Sequence, residues 1–442
     1  MAKADDAVLE ATAAPFRARR SIAYVALMGT AAALGSAKYA VIAKLLGAHD
    51  LSYYGFVLLV LPFGVYLSNW GSLHALNVQL PIEYGRASPV TGALTERALG
   101  FVLMSSAATA ALYVAVIEFL PFRDQDAQTA LALAGATVLL TTLSEFFILL
   151  LRVQRRLVQL GSLSLLRAAL GLSLGATGAA IAGYRGLIVC ELVALSAVIA
   201  IGYKASGTVR IRRPVARELR DLIKMGLPLL LADLVWASRY TYDRVLVAAT
   251  LVASFGQYTF ASLVTVMFGV VFAVMNQALF PQLLYEHGGG LSLGELCRRV
   301  RRVVFRITAV GIAGAPVVWV GTSWLGPRLF SGYAAGLEAM RILYLGGILS
   351  LFTIYNVVLL AARRFYLALL ISVTAAALGL AGGLFVALTQ GTLNRFAWIF
   401  VASQAVAALG FAAASEREAR RQTVKECEEG GPQSSNFVRR SL

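Results

Sequence analysis

Apolar residues along this chain come in runs long enough to cross a bilayer. They are separated by short polar breaks. Crossing the hydrocarbon core as a helix takes about 20 predominantly apolar residues. Such runs fall near 21–43, 53–79, 98–119, 128–151, 159–182, 186–203, 222–249, 256–280, 305–325, 339–361, 365–389 and 394–414. The pattern predicts twelve transmembrane helices, spans 1 to 12, with no room between them for a separate soluble domain. Residues 1–20 are polar and end in Arg17, Arg19 and Arg20. The run that follows them is too long for the apolar part of a signal peptide and reads as span 1.

Charge placement orients the spans. Arg152, Arg155 and Arg156 follow span 4, and Arg210, Arg212, Arg213, Arg217 and Arg220 follow span 6. Arg298, Arg299, Arg301, Arg302 and Arg306 follow span 8, Arg363 and Arg364 follow span 10, and Arg417, Arg420 and Arg421 follow span 12. The odd-numbered connections hold only scattered cations. Short cytoplasmic loops carry the excess of Lys and Arg, so both termini are expected in the cytoplasm. One false or missed span would invert the alternation downstream. Composition agrees, with 59% hydrophobic and 14% charged residues, too few polar side chains to cover a soluble globule. The net charge of +16 is then a matter of membrane orientation, and no nucleic-acid partner is expected.

The longest basic connection, 204–221, splits the spans six and six. The expected domains are a cytoplasmic tail 1–20, an N-lobe 21–203, the linker 204–221, a C-lobe 222–414 and a disordered cytoplasmic tail 415–442. The basic residues of that last tail either lie on anionic lipid or have no role. The halves echo each other. Leu51-Ser52-Tyr53-Tyr54-Gly55-Phe56 opens span 2, and Phe255-Gly256-Gln257-Tyr258-Thr259-Phe260 opens span 8. Polar stretches at Ser68-Asn69-Trp70 and Asn276-Gln277 precede Pro81 and Pro281. Six helices per repeat give both halves one orientation, so a pseudo-two-fold along the membrane normal is expected. That arrangement recurs in transporters.

Ionisable residues inside a membrane are costly and face protein or a wet cavity. Here they are Lys38, Glu145, Arg167, Glu191 and a cluster in span 7. In span 7, Asp233, Trp236, Arg239, Tyr240, Asp243 and Arg244 fall within an arc of about 140° at ~100° per residue. That face is expected to line a translocation cavity. Arg239 and Lys38 would hold the phosphates of an anionic headgroup, because a guanidinium donates in pairs and an ammonium adds a point charge. Trp236 and Tyr240 would stack on sugar rings. The competing reading makes Arg239–Asp243 and Asp233–Lys38 structural ion pairs. Arg167 is a further cavity candidate, and Glu145 and Glu191 are candidate carboxylates for coupling to a proton or sodium gradient. The inner half of span 2 is polar, with Asn69 and His74 as cavity candidates, and Pro62 is expected to kink that helix. The alternative there is hydrogen bonding between helices.

Other chemistry is missing from the sequence. No Gly-Lys-Ser/Thr phosphate loop is present, no nucleophile sits beside a base, and no outer loop gathers paired carboxylates. No enzyme activity, cofactor or metal is therefore expected. His49, His74 and His287 lie far apart. Of the cysteines, Cys190 falls in an apolar stretch, and Cys297 and Cys427 fall in segments read as loops, with no disulfide framework.

The motifs of the two half-openings resemble those of the Wzx-type polysaccharide flippases of the MOP exporter superfamily. The first half carries Leu45-Leu46-Gly47-Ala48-His49-Asp50 through Tyr54-Gly55, then Asn69-Trp70-Gly71. The second carries Gly226-Leu227-Pro228, Asp243-Arg244 and Gly256-Gln257-Tyr258. Ser52 stands where the family more often has Gly, and spans 9–12 are generic. The resemblance implies an all-α integral membrane fold of two six-helix lobes around a cavity that opens alternately to each side. It implies transport of an undecaprenyl-pyrophosphate-linked oligosaccharide across the bacterial inner membrane, for O-antigen, capsule or exopolysaccharide assembly. Polysaccharide polymerase and export proteins are the implied partners. A cation-coupled multidrug exporter of the same superfamily is the alternative, with a carboxylate-dominated cavity. A membrane polymerase or ligase for polysaccharide repeats is the third reading.

Overall fold

The apolar runs fold as helices throughout the computed structural model, which describes residues 18–85, 90–119, 125–154, 156–207, 209–288 and 291–428. Among these residues, nine helices are long and apolar enough to cross a membrane, and the chain is a multi-pass membrane protein. Two of the nine, of 47 and 50 residues, each reach about 70 Å at ~1.5 Å per residue, over twice a ~30 Å hydrocarbon core. Each holds two crossings. Helix Ala18–Asn69 bends at Gly47 (φ 72°), and helix Leu157–Ala205 bends at Ala182 and Gly183 (φ 59°). Glycine reaches this left-handed backbone without a Cβ clash. A Cβ at Gly183 would also collide with the Asp50 carboxylate beside it. Span 7 lies in helix Ala216–Thr250 and is not one of the nine, because its charges keep it from passing as apolar. With that helix added and the two long ones divided, the crossings number twelve among the described residues.

The chain divides into two compact units, Met1–Leu234 and Val235–Leu442. The sequence places the division in the 204–221 connection, whereas contacts place it inside span 7. The connection runs along the first unit, with the Arg212 amide donating to the Glu96 carbonyl at 3.3 Å. The opening turns of span 7 also stay with that unit, where the Gly226 and Gly71 backbones meet with no space for a Cβ.

In the first unit, helix Ala18–Asn69 packs chiefly on Leu157–Ala205. Ala75, Leu76, Leu80, Val102, Phe146, Phe147 and Leu150 form a buried apolar core. Pro62 stays within helical backbone. The break in span 2 comes instead at Trp70 (φ 50°) and Gly71 (φ 77°), before helix Ser72–Gly85. Asn69 makes this break. Its Oδ1 accepts from the Gly71 amide at 2.9 Å, and its Nδ2 donates to the Val65 carbonyl at 2.8 Å.

In the second unit, helix Leu293–Val320 starts about twelve residues before the apolar run of span 9. Ser292 caps it, accepting from the Glu295 amide at 3.2 Å, in the Ser-x-x-Glu spacing of a capping box. Leu293, Leu296, Cys297, Val300 and Val304 are buried at helical spacing. Cys297 and the arginine run therefore lie on a helix and not in a loop. The arginines face outward, and Arg298, Arg299 and Arg302 pair with Glu295. Span 10 is the most enclosed of the nine helices, with 78% of its apolar window buried. A Cβ on Gly346 or Gly347 would collide with the Phe400 or Phe268 ring. These glycines let spans 8 and 12 close upon it.

The final helix, Leu393–Glu428, runs beyond span 12. The first part of the expected disordered tail, 415–428, is thus helical. Ser415 binds the Tyr355 carbonyl at 3.0 Å, and Glu418 is buried against Arg364 at 3.3 Å. Residues 1–17 and 429–442 lie outside the described residues, and so do the side chains of the repeat positions Asn276, Gln277, Pro81 and Pro281.

Candidate functional site

The intramembrane charges gather into two polar groups, one in each unit. In the first unit, Lys38 of span 1 runs alongside Gly171 and Gly175 of span 5. It pairs there with Glu191 of span 6. Tyr54 donates to the same carboxylate at 2.9 Å. Arg167 and Glu145 pair at 2.8 Å, and His74 Nε2 lies 2.9 Å from Asp233 Oδ2. Exposure grades along the set. The Lys38 and Glu191 side chains are 16% and 12% exposed, whereas Glu145 and Asp233 are 38% and 36% exposed.

The Lys38–Asp233 pair of the competing reading is not made: Lys38 is on Glu191, and Asp233 is held by His74. Asn69 is also corrected as a cavity residue. It is 1% exposed, and its amide is used by the helix break. Ser68, equally buried, bonds Thr142 Oγ1 at 2.7 Å. Much of the polarity in the inner half of span 2 is thus spent on hydrogen bonds within the protein.

In the second unit, the polar face of span 7 points into protein. Arg239 is 0% and Asp243 1% exposed. The expected Arg239–Asp243 pair is also absent. Arg239 Nη2 donates to Thr353 Oγ1 at 3.0 Å and to Tyr240 Oη at 3.3 Å, with the guanidinium 5.0 Å from the Tyr240 ring centre. Asp243 Oδ2 accepts from Tyr258 Oη at 2.7 Å. Arg244 Nη2 donates to Thr265 Oγ1 and to the Tyr240 carbonyl, both at 3.2 Å. Better-placed hydroxyls from spans 8 and 10 thus replace the neighbour one turn away. Trp236 packs on Tyr240 (4.6 Å between ring centres) and stacks on Phe272 (5.9 Å).

Several buried polar atoms of this second group have no hydrogen-bond partner. They are Nε and Nη1 of Arg239, Nε of Arg244, Oδ1 of Asp243 and both amide atoms of Gln404. A buried polar group without a partner costs about 1–3 kcal/mol, more when charged. Arg239 has no ion pair among the described residues. Its partners are hydroxyls and an aromatic ring.

Tyr54 and Tyr258 were legible only as repeat markers, and their chemistry was missed. Each donates to a buried carboxylate in its own unit, Glu191 or Asp243. Gln404 was missed as well, although Ser403-Gln404 is a conspicuous polar pair in an otherwise apolar span 12. No cluster of three His, Cys, Asp or Glu side chains able to hold a metal forms among the described residues.

This arrangement of spans matches solved transporter structures. A multidrug-resistance transporter of the MATE family and MOP superfamily, solved facing inward, aligns with a TM-score of 0.65 at 15% identity, over 91% of this chain and 98% of that one. A MOP-superfamily transporter from Pyrococcus furiosus, described as having a binding pocket of reverse polarity that suggests a different function, aligns with a TM-score of 0.58 at 15% identity, over 91% and 95%. A MATE transporter in complex with MaL6 aligns with a TM-score of 0.57 at 13% identity, over 91% and 97%. No protein-family model and no curated protein matches the sequence. The chain therefore shares the all-α fold of these transporters.

Proposed function

We propose that this chain is a transporter, not an enzyme, and that it flips a lipid-linked, phosphate-bearing oligosaccharide from the cytoplasmic to the outer leaflet of a bacterial inner membrane. The observation that carries the reading is Arg239. A buried guanidinium with two unpartnered nitrogens and no carboxylate is built to receive an anion, and its planar fork suits phosphate. Arg244, five residues further on, adds a third unpartnered nitrogen. The motifs shared with polysaccharide flippases supply the lipid-linked pyrophosphate as that anion. In this conformation Arg239 is sealed, so the reading requires spans 7 and 10 to part during transport. One structural neighbour is described as having a binding pocket of reverse polarity that suggests a different function, so the fold alone does not fix the substrate.

A second reading, a cation-coupled multidrug exporter, is favoured by a different observation. Glu145 and Asp233 are more exposed than the other intramembrane charges of the first unit, and carboxylates suit cationic drugs. The MATE transporters that share this fold point the same way.

The deciding experiment locates the lipid-linked oligosaccharide in a deletion strain. Sealed vesicles of known orientation are probed with a membrane-impermeant lectin or glycosidase. Oligosaccharide trapped on the cytoplasmic face, with surface polymer lost, is the result expected of a flippase. Normal sidedness with heightened drug sensitivity would replace it with the exporter, and accumulation on the outer face would indicate a polymerase or ligase.

A further inference from the structure

We infer that the second unit carries a built site for an anionic phospholipid at the ends of spans 11 and 12. A groove of about 650 Å³ opens there between helices Phe365–Leu388 and Leu393–Glu428. Arg363, Arg364, Arg417 and Arg421 line it, with Glu418 as the sole acidic residue. Glu418 is shared by Arg364 at 3.3 Å and Arg421 at 3.1 Å. Among the described residues, Arg363 and Arg417 have no side-chain hydrogen bond or ion pair. The groove thus keeps an excess of positive charge with two uncommitted guanidinium groups.

Depth along the helix gives the groove its second property. Residues 410, 413, 414 and 417 follow one face of the last helix at helical spacing. At ~1.5 Å per residue, Arg417 lies about 36 Å along the helix from Leu393, and Gly410 about 25 Å. A hydrocarbon core is ~30 Å thick. Arg417 therefore reaches headgroup level on the face that the charge rule assigns to the cytoplasm, while Gly410 remains among acyl chains. Gly410, Ala413 and Ala414 form one wall below the arginines, and Leu367 and Ile371 form the other. The groove is cationic at phosphate depth and apolar beneath, which is the polarity of a phospholipid read from head to tail. Basic pockets between membrane helices on the cytoplasmic side bind anionic headgroups. A free phosphate would have no use for the apolar walls.

Two local features fit the assignment. Arg363 has φ 56°, a left-handed conformation that usually falls to Gly or Asn at the end of a helix. The chain accepts an arginine there, at the mouth of the groove. Tyr366, 88% exposed, presents a phenol where membrane interfaces concentrate such rings. The site belongs wholly to the second unit and does not depend on which substrate is transported.

The test uses the full-length protein in detergent, titrated with phosphatidylglycerol and followed by native mass spectrometry. Each basic residue near an anionic lipid contributes enough for about a fivefold change in affinity. The double variant Arg363→Gln/Arg417→Gln, which breaks no ion pair, should bind about 25-fold more weakly. Arg420→Gln lies on the same helix outside the groove and should bind like the parent. Ala414→Trp fills the apolar wall without changing charge and should also weaken binding. Phosphatidylethanolamine should not compete. Equal loss in Arg420→Gln would reduce the site to general surface charge and overturn the proposal. So would unchanged binding in Ala414→Trp, or displacement of the lipid by glycerol 3-phosphate, which would mark a free-phosphate site.

Discussion

Replacing Lys38 by methionine should destabilise the protein through the carboxylate it leaves behind. Glu191 is 12% exposed, and without Lys38 it retains only the Tyr54 hydroxyl at 2.9 Å. Breaking a buried pair by removing one partner costs about 3–5 kcal/mol. The remaining exposure of both side chains moves this case to the lower end, about 3 kcal/mol. Glu191→Gln strands the Lys38 ammonium and should cost a similar amount. The double variant carries no unpaired charge, so it should fall short of the sum of the single variants by about 2 kcal/mol. Reversible unfolding of purified protein in mixed micelles, followed by tryptophan fluorescence, measures all four corners of this cycle. Single effects that add within about 0.5 kcal/mol would mean the two sites are independent and would refute the pairing. The same cycle bears on transport. A stable double variant that still moves substrate would remove Lys38 from the phosphate-holding role.

Arg239→Met should behave in the opposite way, with stability unchanged or raised, because it removes a buried charge that has no counterion, while transport is lost. Arg239→Met protein that transports normally in a complementation assay would end the phosphate-binding role. Tyr258→Phe should cost about 1–3 kcal/mol by stranding Asp243. Tyr54→Phe should cost less, since Lys38 remains on Glu191, and thermal unfolding in detergent gives the order. Gly178→Ala should cost about 1–3 kcal/mol, because a Cβ there meets the Gly186 backbone and the Cys190 sulfur. Gly269→Ala, in open space within a helix, should be neutral or stabilise by up to about 1 kcal/mol. Ser292→Ala should cost about 1 kcal/mol through loss of the helix cap, and a melting curve against the parent measures it.

Hydrophobic run length and charge alternation were enough to count the crossings, because the bilayer imposes both locally and each span reports on itself. The same local logic put the charges of span 7 on one face. Partner choice was not local. Helical spacing allows Arg239 to meet Asp243, but the Thr353 hydroxyl, 114 residues from Arg239, and the Tyr258 hydroxyl, 15 residues from Asp243, lie closer in space. Lys38 could have sought Asp233, but the packed helices set it on Glu191 and give Asp233 to His74. The break in span 2 falls at Trp70–Gly71 instead of Pro62, because Asn69 satisfies the backbone freed there and Gly71 must meet Gly226. Each of these outcomes depends on which side chains the packed helices bring within about 3 Å of one another, a quantity that no stretch of sequence contains by itself.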